Sequence, residues 1–304
     1  MAQRRYVVLD VFTTRPLEGN PLAVVLDSEG LDTAAMQRIA GEFNLSETVF
    51  VTPAENPAHS AAVRIFTPGR ELPFAGHPTV GTACCLAARR FPDLETEMDA
   101  VVALEEQIGL VRCAVRLVPG AAAYAEFDVP RLSEMGEASF GPKSAIADAL
   151  GLKPHEIGFE NHVSTVWSAG NPFAFVPVAG LAAMRRIKVA PQHWTEAFGP
   201  ATPGIYVYCR ETLFHDSSFH GRMFAPGLGV GEDPATGSAI AAFAGLVNDF
   251  DDLPNGTFTY RIEQGFEMGR PSLIDLEIEV EAGELTAARI GGHAVKVAEG
   301  VLEV

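Results

Sequence analysis

The sequence predicts an α+β fold of two pseudo-symmetric halves, each a β-rich shell around one apolar helix. Three observations carry this. Short motifs recur in order: GNPLAVV (19–25) returns as GNPFAFV (170–176), RIFTPG (64–69) as RMFAPG (222–227), and ELPFAGH (71–77) as EDPATGS (232–238). Their spacing drifts only slightly, as small insertions would produce, so the three matches read as one duplicated unit. The segments after the third motif, Pro78–Phe91 and Ser238–Phe250, are apolar on nearly every face for their first turns. Such helices are buried all round. The remainder of each half consists of short runs of branched and aromatic residues bounded by Gly, Pro and Asn, the signature of strands.

In chain order, the first half is expected to form strands over Tyr6–Phe12, Leu22–Leu26, Thr48–Val51, Ala62–Phe66 and Val111–Leu117. Between the second and third of these, Ala34, Ala35, Met36, Ile39, Ala40 and Phe43 recur at helical spacing and predict a helix over Thr33–Phe43. The second half repeats the theme with strands over Phe173–Val178, Gly204–Cys209, Phe258–Gln264 and Leu273–Glu281. Pro78 suits the first turn of its helix, and Ser238 suits the N-cap of the other. The stretch VPGAAA interrupts the strand pattern within 118–130. It places the halves at 1–122 and 123–285, with strand-like residues 286–304 expected to rejoin the first half.

Composition narrows the function. A length of 304 residues suits two domains. A net charge of −17 repels phosphate backbones and anionic lipid, so neither nucleic acid nor a membrane is the expected partner. A small molecule held in a locally positive site remains. The opening MAQRRYVVLDVF is interrupted by Asp10 and reads as a strand, not a secretion signal. No apolar run approaches the roughly 18 residues of a membrane span. Cys84, Cys85, Cys113 and Cys209 show no CxxC or Cys/His ligand spacing, which fits buried, reduced thiols in a cytoplasmic protein and no metal.

The repeated motif has a physical use. A glycine-rich turn opening a helix leaves backbone N–H groups without intrahelical acceptors at the positive end of the dipole, a ready site for an anion. Gly76 and Gly237 allow a ligand close to the backbone. Two such starts facing one cleft would grip a small carboxylate from both sides; the plainer alternative is that both loops are simply turns of a duplicated fold. The copies diverge where chemistry would sit, with His77 opposite Ser238 and Leu72 opposite Asp233. Glu47, in NLSETVFV, stands at the mouth of a strand. It either caps a turn or points into the cleft, where burial would raise its pKa and suit it to acid–base work.

The elements LEGNPLAVV, MQRIAGEFNLSETVFV, RIFTPGRELPFAGHPTVGTA, GEDPATGSA and QGFEMGRPS run from residue 17 to 272. In these the chain resembles the phenazine-biosynthesis isomerase family (PhzF-like proteins), whose fold is that of diaminopimelate epimerase. The resemblance implies a mixed, largely antiparallel sheet rolled around a central helix in each domain, an active site in the cleft between them, a homodimer, and no cofactor or metal. It also implies a cofactor-independent isomerase acting on a small carboxylate. The family's phenazine enzyme isomerises trans-2,3-dihydro-3-hydroxyanthranilate by moving a hydrogen between ring carbons. By the same resemblance Glu47 carries the proton, with His77 and Asp233 as further catalytic residues. Gly76, Gly237, Ser238 and Asn20 are the substrate-binding positions. Related epimerases of this fold use two cysteines, one at each repeated motif. Here Phe74, Ala75, Gly76 and Ala235, Thr236, Gly237 contain no thiol. An amino-acid epimerase is therefore the weaker alternative, alongside a non-catalytic binder of small carboxylates.

Overall fold

The computed structural model describes residues 2–137, 140–200, 204–228 and 230–304. In chain order the strands are β1 (Gln3–Val11), β2 (Asn20–Val25), β3 (Glu47–Thr52), β4 (Ala61–Phe66), β5 (Glu71–Leu72), β6 (Met98–Glu106), β7 (Gly109–Leu117), β8 (Ala123–Asp128) and β9 (Glu134–Gly136). They continue as β10 (Thr165–Ser168), β11 (Pro172–Pro177), β12 (Ile205–Cys209), β13 (Phe219–Ala225), β14 (Val230–Asp233), β15 (Gly256–Gln264), β16 (Ser272–Glu281) and β17 (Glu284–Glu303). The helices are α1 (Thr33–Phe43), α2 (Gly76–Arg90), α3 (Lys143–Leu150), α4 (Leu181–Met184), α5 (Trp194–Phe198) and α6 (Gly237–Asp251). Two compact units result, Met1–Pro130 with Ile290–Val304, and Arg131–Arg289. The first break falls later than residue 122 because β8 pairs with β7, which keeps it in the first unit. The chain rejoins that unit at Ile290, four residues after the expected 286.

The strands of the first unit close on themselves. β1 pairs antiparallel with β2 and with the second half of β17; β2 runs parallel to β3, and β3 antiparallel to β4. β4 runs parallel to β6, the hairpins β6–β7 and β7–β8 follow, and β8 meets β17. The result is an eight-stranded barrel around α2, which touches β1, β2, β3, β6, β7 and β8. Close packing explains Gly81 at the middle of α2: a Cβ there would lie 2.6 Å from Leu22 and 2.7 Å from Val11 side-chain atoms. Outside the barrel, α1 is capped by the Asp32 carboxylate, which accepts from Ala35 N–H at 2.7 Å. It buries Met36, Ile39 and Ala40 against Val25, Phe50 and Phe66. Asn44 ends α1 in the left-handed conformation and turns the chain into β3, with Glu47 at its first residue.

The second unit repeats the order of pairings. β9–β10 and β10–β11 are antiparallel, β11–β12 parallel, β12–β13 antiparallel, β13–β15 parallel and β15–β16 antiparallel. The parallel pairs β11–β12 and β13–β15 answer β2–β3 and β4–β6, as duplication requires. α6 is the inner helix, and Phe243 sits at its centre. Its ring lies 4.9 Å from Phe219, 5.0 Å from Tyr208, 5.7 Å from Phe175 and 6.1 Å from Tyr206. A layer of α3, α4 and α5 covers the other face, with Ile146, Leu150, Trp194 and Phe198 packed against Val176, Val207 and Phe224. These helices are too short to show periodicity in the sequence.

The helix starts differ from expectation in one respect. Ser238 is not the N-cap of α6; Thr236 holds that position, and Ser238 lies inside the first turn after Gly237. The Thr236 carbonyl already accepts from the N–H groups of Ala239 and Ile240, at 3.0 and 3.1 Å, so the helix begins before Ser238 is reached. Pro78 does lie in the first turn of α2, whose N-cap is Ala75.

Candidate active site

In the first unit three element starts converge. Asn20 opens β2, Glu47 opens β3 and His77 is the second residue of α2. The parallel pairing sets Glu47 opposite Leu22, two residues from Asn20. The Asn20 Nδ2 amide donates to His77 Nδ1 at 3.4 Å, and His77 Nε2 stands 3.4 Å from Glu47 Oε2. Asn20 is fully buried, His77 is 5% exposed, and the Glu47 side chain keeps 16% exposure. Asn20, Glu47, Gly76 and His77 are thus gathered at one end of one barrel.

The histidine is neutral. Burial pushes its pKa down to about 3, far below the ordinary imidazole value. Since the Asn20 amide donates to Nδ1, the network assigns the ring proton to Nε2, facing Glu47. A neutral ring brings no positive charge to the Glu47 carboxyl beside it. A pH dependence follows. The unfolded chain binds a proton at His77 near pH 6.5 and the folded chain near 3, so the stability this group contributes is complete above about pH 6.5 and is lost as pH falls towards 3. Nitrogen-15 spectra of the imidazole should show the neutral Nε2–H tautomer from pH 8 down to pH 5, chosen on the basis of that shift. A ring protonated at pH 6 would contradict the assignment.

In the second unit Asp233 ends β14, and Gly237 and Ser238 open α6. The Thr236 hydroxyl donates to Asp233 Oδ2 at 2.6 Å. The Gln264 amide donates to the Asp233 carbonyl at 2.8 Å and to Thr236 Oγ1 at 3.0 Å, and its oxygen accepts from Thr236 N–H at 3.2 Å. Thr236 and Gln264 therefore orient the aspartate. The sequence reading passed over both, although Thr236 stands inside the EDPATGS motif itself. Near them the Tyr206 phenol is held well above its usual pKa, first by burial and then by the charge of Asp233.

Register shows where the two copies differ most. Thr48 pairs with Phe66, and Ile205 pairs with Phe224. Phe66 and Phe224 occupy the same place in RIFTPG and RMFAPG. The position of Glu47 is therefore filled in the second unit by Gly204. One repeat carries the carboxyl and the other carries no side chain.

The cysteines lie elsewhere. All four are buried and free, and burial pushes Cys85 up to about 11 and Cys209 up to about 12. Such thiols are protonated at neutral pH and poor bases. Among the described residues no group of three or more His, Cys, Asp or Glu is placed to hold a metal ion, and no helix is long and apolar enough to cross a membrane.

Comparisons with known proteins place the whole chain in one family. The PhzC-PhzF family model, described as phenazine biosynthesis-like protein, matches residues 9–300. An uncharacterized isomerase of Mesorhizobium japonicum is 56% identical, over 99% of both chains. The trans-2,3-dihydro-3-hydroxyanthranilate isomerase of Pseudomonas aeruginosa is 36% identical, over 97% of this chain and 98% of its own. The crystal structure of a PhzF-family phenazine biosynthesis protein from Bacillus anthracis superposes over 100% of both chains with a TM-score of 0.88 and 27% identity.

Proposed function

The chain belongs to the phenazine biosynthesis-like protein family and is an isomerase, and from that premise we propose that it shifts a proton between two carbons of a small cyclic carboxylate, without a cofactor, using Glu47 as its one base. The observation that carries this reading is the asymmetry of the repeats: a carboxyl beside a neutral buried histidine at Glu47, and glycine at the matching position, Gly204.

The proposed step balances within the substrate. The Glu47 carboxylate takes a proton from one carbon, leaving an anion delocalised over the adjoining double bond. The resulting carboxylic acid returns a proton to a second carbon on the same face, and the double bond moves. His77 Nε2 stands 3.4 Å from Glu47 Oε2, and the neutral ring keeps its own proton. The N–H group of Gly76, at the start of the helix that carries His77, is assigned to the substrate carboxylate. Trans-2,3-dihydro-3-hydroxyanthranilate, the substrate named for the 36% identical relative, sets the class.

Epimerisation needs a base on each face. The cysteines used by related epimerases are absent from both motifs, and Gly204 offers no side chain at Glu47's counterpart position. Turnover of trans-2,3-dihydro-3-hydroxyanthranilate in deuterium oxide tests the reading. Product carrying deuterium at the newly protonated carbon, in less than full amount because part of the hydrogen is returned internally, is the expected result. Exchange accompanied by inversion at an unchanged carbon would instead establish a two-base epimerase.

A further inference from the structure

A second buried acid stands at the start of α2, and the proposed reaction makes no use of it. Glu106, the last residue of β6, is 8% exposed, and its Oε2 has no hydrogen-bond partner among the described residues. Its Oε1 lies 2.8 Å from Thr79 Oγ1. Thr79 is in the first turn of α2, and its Oγ1 also lies 2.8 Å from the Ala75 carbonyl. A threonine hydroxyl has one hydrogen, and a carbonyl can only accept. If that hydrogen goes to Ala75, the bond to Glu106 forms only when Glu106 is itself the donor.

The second unit has a neutral group at the matching strand position, bonded there to the N-cap residue of its own helix. Ala62 stands opposite Glu105, and His220 opposite Glu263. Ala62 and His220 each lie two residues before the arginine of the RIFTPG and RMFAPG motifs. Glu105 and Glu263 therefore correspond, and they behave alike. Glu105 accepts from the N–H groups of Glu55 and Asn56 and pairs with His59. Glu263 accepts from those of Leu213 and Phe214 and pairs with His220. The next residue in each strand is Glu106 in one unit and Gln264 in the other. Gln264 donates its amide hydrogen to the Thr236 hydroxyl at the start of α6.

We propose that Glu106 works as a protonated acid, clamping the start of α2 by donating to Thr79 as Gln264 does to Thr236, and that alkaline ionisation of Glu106 loosens the turn carrying Gly76 and His77. The surroundings favour the protonated form. From α2 it meets the Thr79 hydroxyl, from β7 the Cys113 thiol, which burial keeps protonated, and among the described residues no cation stands in ion-pair range. Burial lifts the Glu106 pKa to about 8. The adjoining turn reinforces the clamp, with Ile108 N–H donating to the Pro73 carbonyl at 3.3 Å. This inference concerns the helix start whatever reaction it serves, and its test uses no substrate.

The test is a pH titration by NMR of protein labelled with carbon-13 at the glutamate carboxyls and nitrogen-15 at the amides. The Glu106 signal, identified by its loss in Glu106→Gln, should titrate with a midpoint of about 8, and the Gly76 and His77 amides should move with it. In Glu106→Gln, which places the Gln264 amide in this position, those amides should hold still over the same range. Thr79→Val removes the acceptor and should lower the midpoint. A midpoint near the ordinary 4.5, amides moving equally in both proteins, or a midpoint raised by Thr79→Val would each overturn the proposal.

Discussion

Glu47→Gln is expected to lower turnover by about 10²-fold or more, about 2.7 kcal/mol of lost transition-state stabilisation, while affinity for a substrate analogue such as 3-hydroxyanthranilate changes little. The amide keeps the size of the side chain and its place beside His77 Nε2, which stands 3.4 Å from Glu47 Oε2. It cannot take a proton from carbon. The pair of measurements separates the roles: affinity lost in step with turnover would make Glu47 a binding residue, and unchanged turnover would remove it from the chemistry. Glu47→Asp sharpens the test. It retains the charge but withdraws it from His77, so turnover should fall here too if alignment matters.

Phe243→Ala carries the second large effect, and this one concerns stability. The ring is fully buried, with Phe175, Tyr206, Tyr208 and Phe219 around it, so truncation leaves a cavity lined by aromatic side chains that cannot all collapse inward. Loss of about 3–5 kcal/mol is expected, a large share of the roughly 5–15 kcal/mol that holds an ordinary domain folded. Urea unfolding of the variant against the unchanged chain measures it. The comparison is Phe214→Ala, whose side chain is 46% exposed and should cost far less. Equal midpoints for the two variants would mean that α6 is not the core of its unit.

Much of this architecture was legible because duplication wrote it twice. The ordered motifs GNP, RxFxPG and ExPxxG gave away the two units, and the uniformly apolar segments gave away α2 and α6. The candidate site was legible one residue at a time. Glu47 and His77 each stand in a recognisable element, but their approach to each other, with Asn20 on the far side of the ring, depends on three element starts meeting in space, which no local pattern encodes. The correspondence of Glu47 with Gly204 was hidden for a related reason, since it emerges only from strand register. Ser238 misled because serine is a favoured cap, whereas the turn from Asp233 is short enough for Thr236 to start the helix. Glu106 did leave a signal: it falls on the same inward parity as Val102 and Leu104 in β6, and an acid on that face of a strand is unusual.

One feature of the first barrel bears on how the protein is made. β1 finds one of its two partners in β17, with Gln3 opposite Glu303. During synthesis the opening strand must therefore wait, one edge bare, until nearly all of the chain has left the ribosome. The residues of the second unit, Arg131–Arg289, are contiguous and need not wait. The unit read first is thus the one completed last, and its slow step is the return of β17 across a sequence separation of almost the whole chain. Until that strand arrives, the ring around α2 is an open sheet with two sticky edges, so the nascent chain is most exposed to aggregation late in translation and becomes sealed in one closing event.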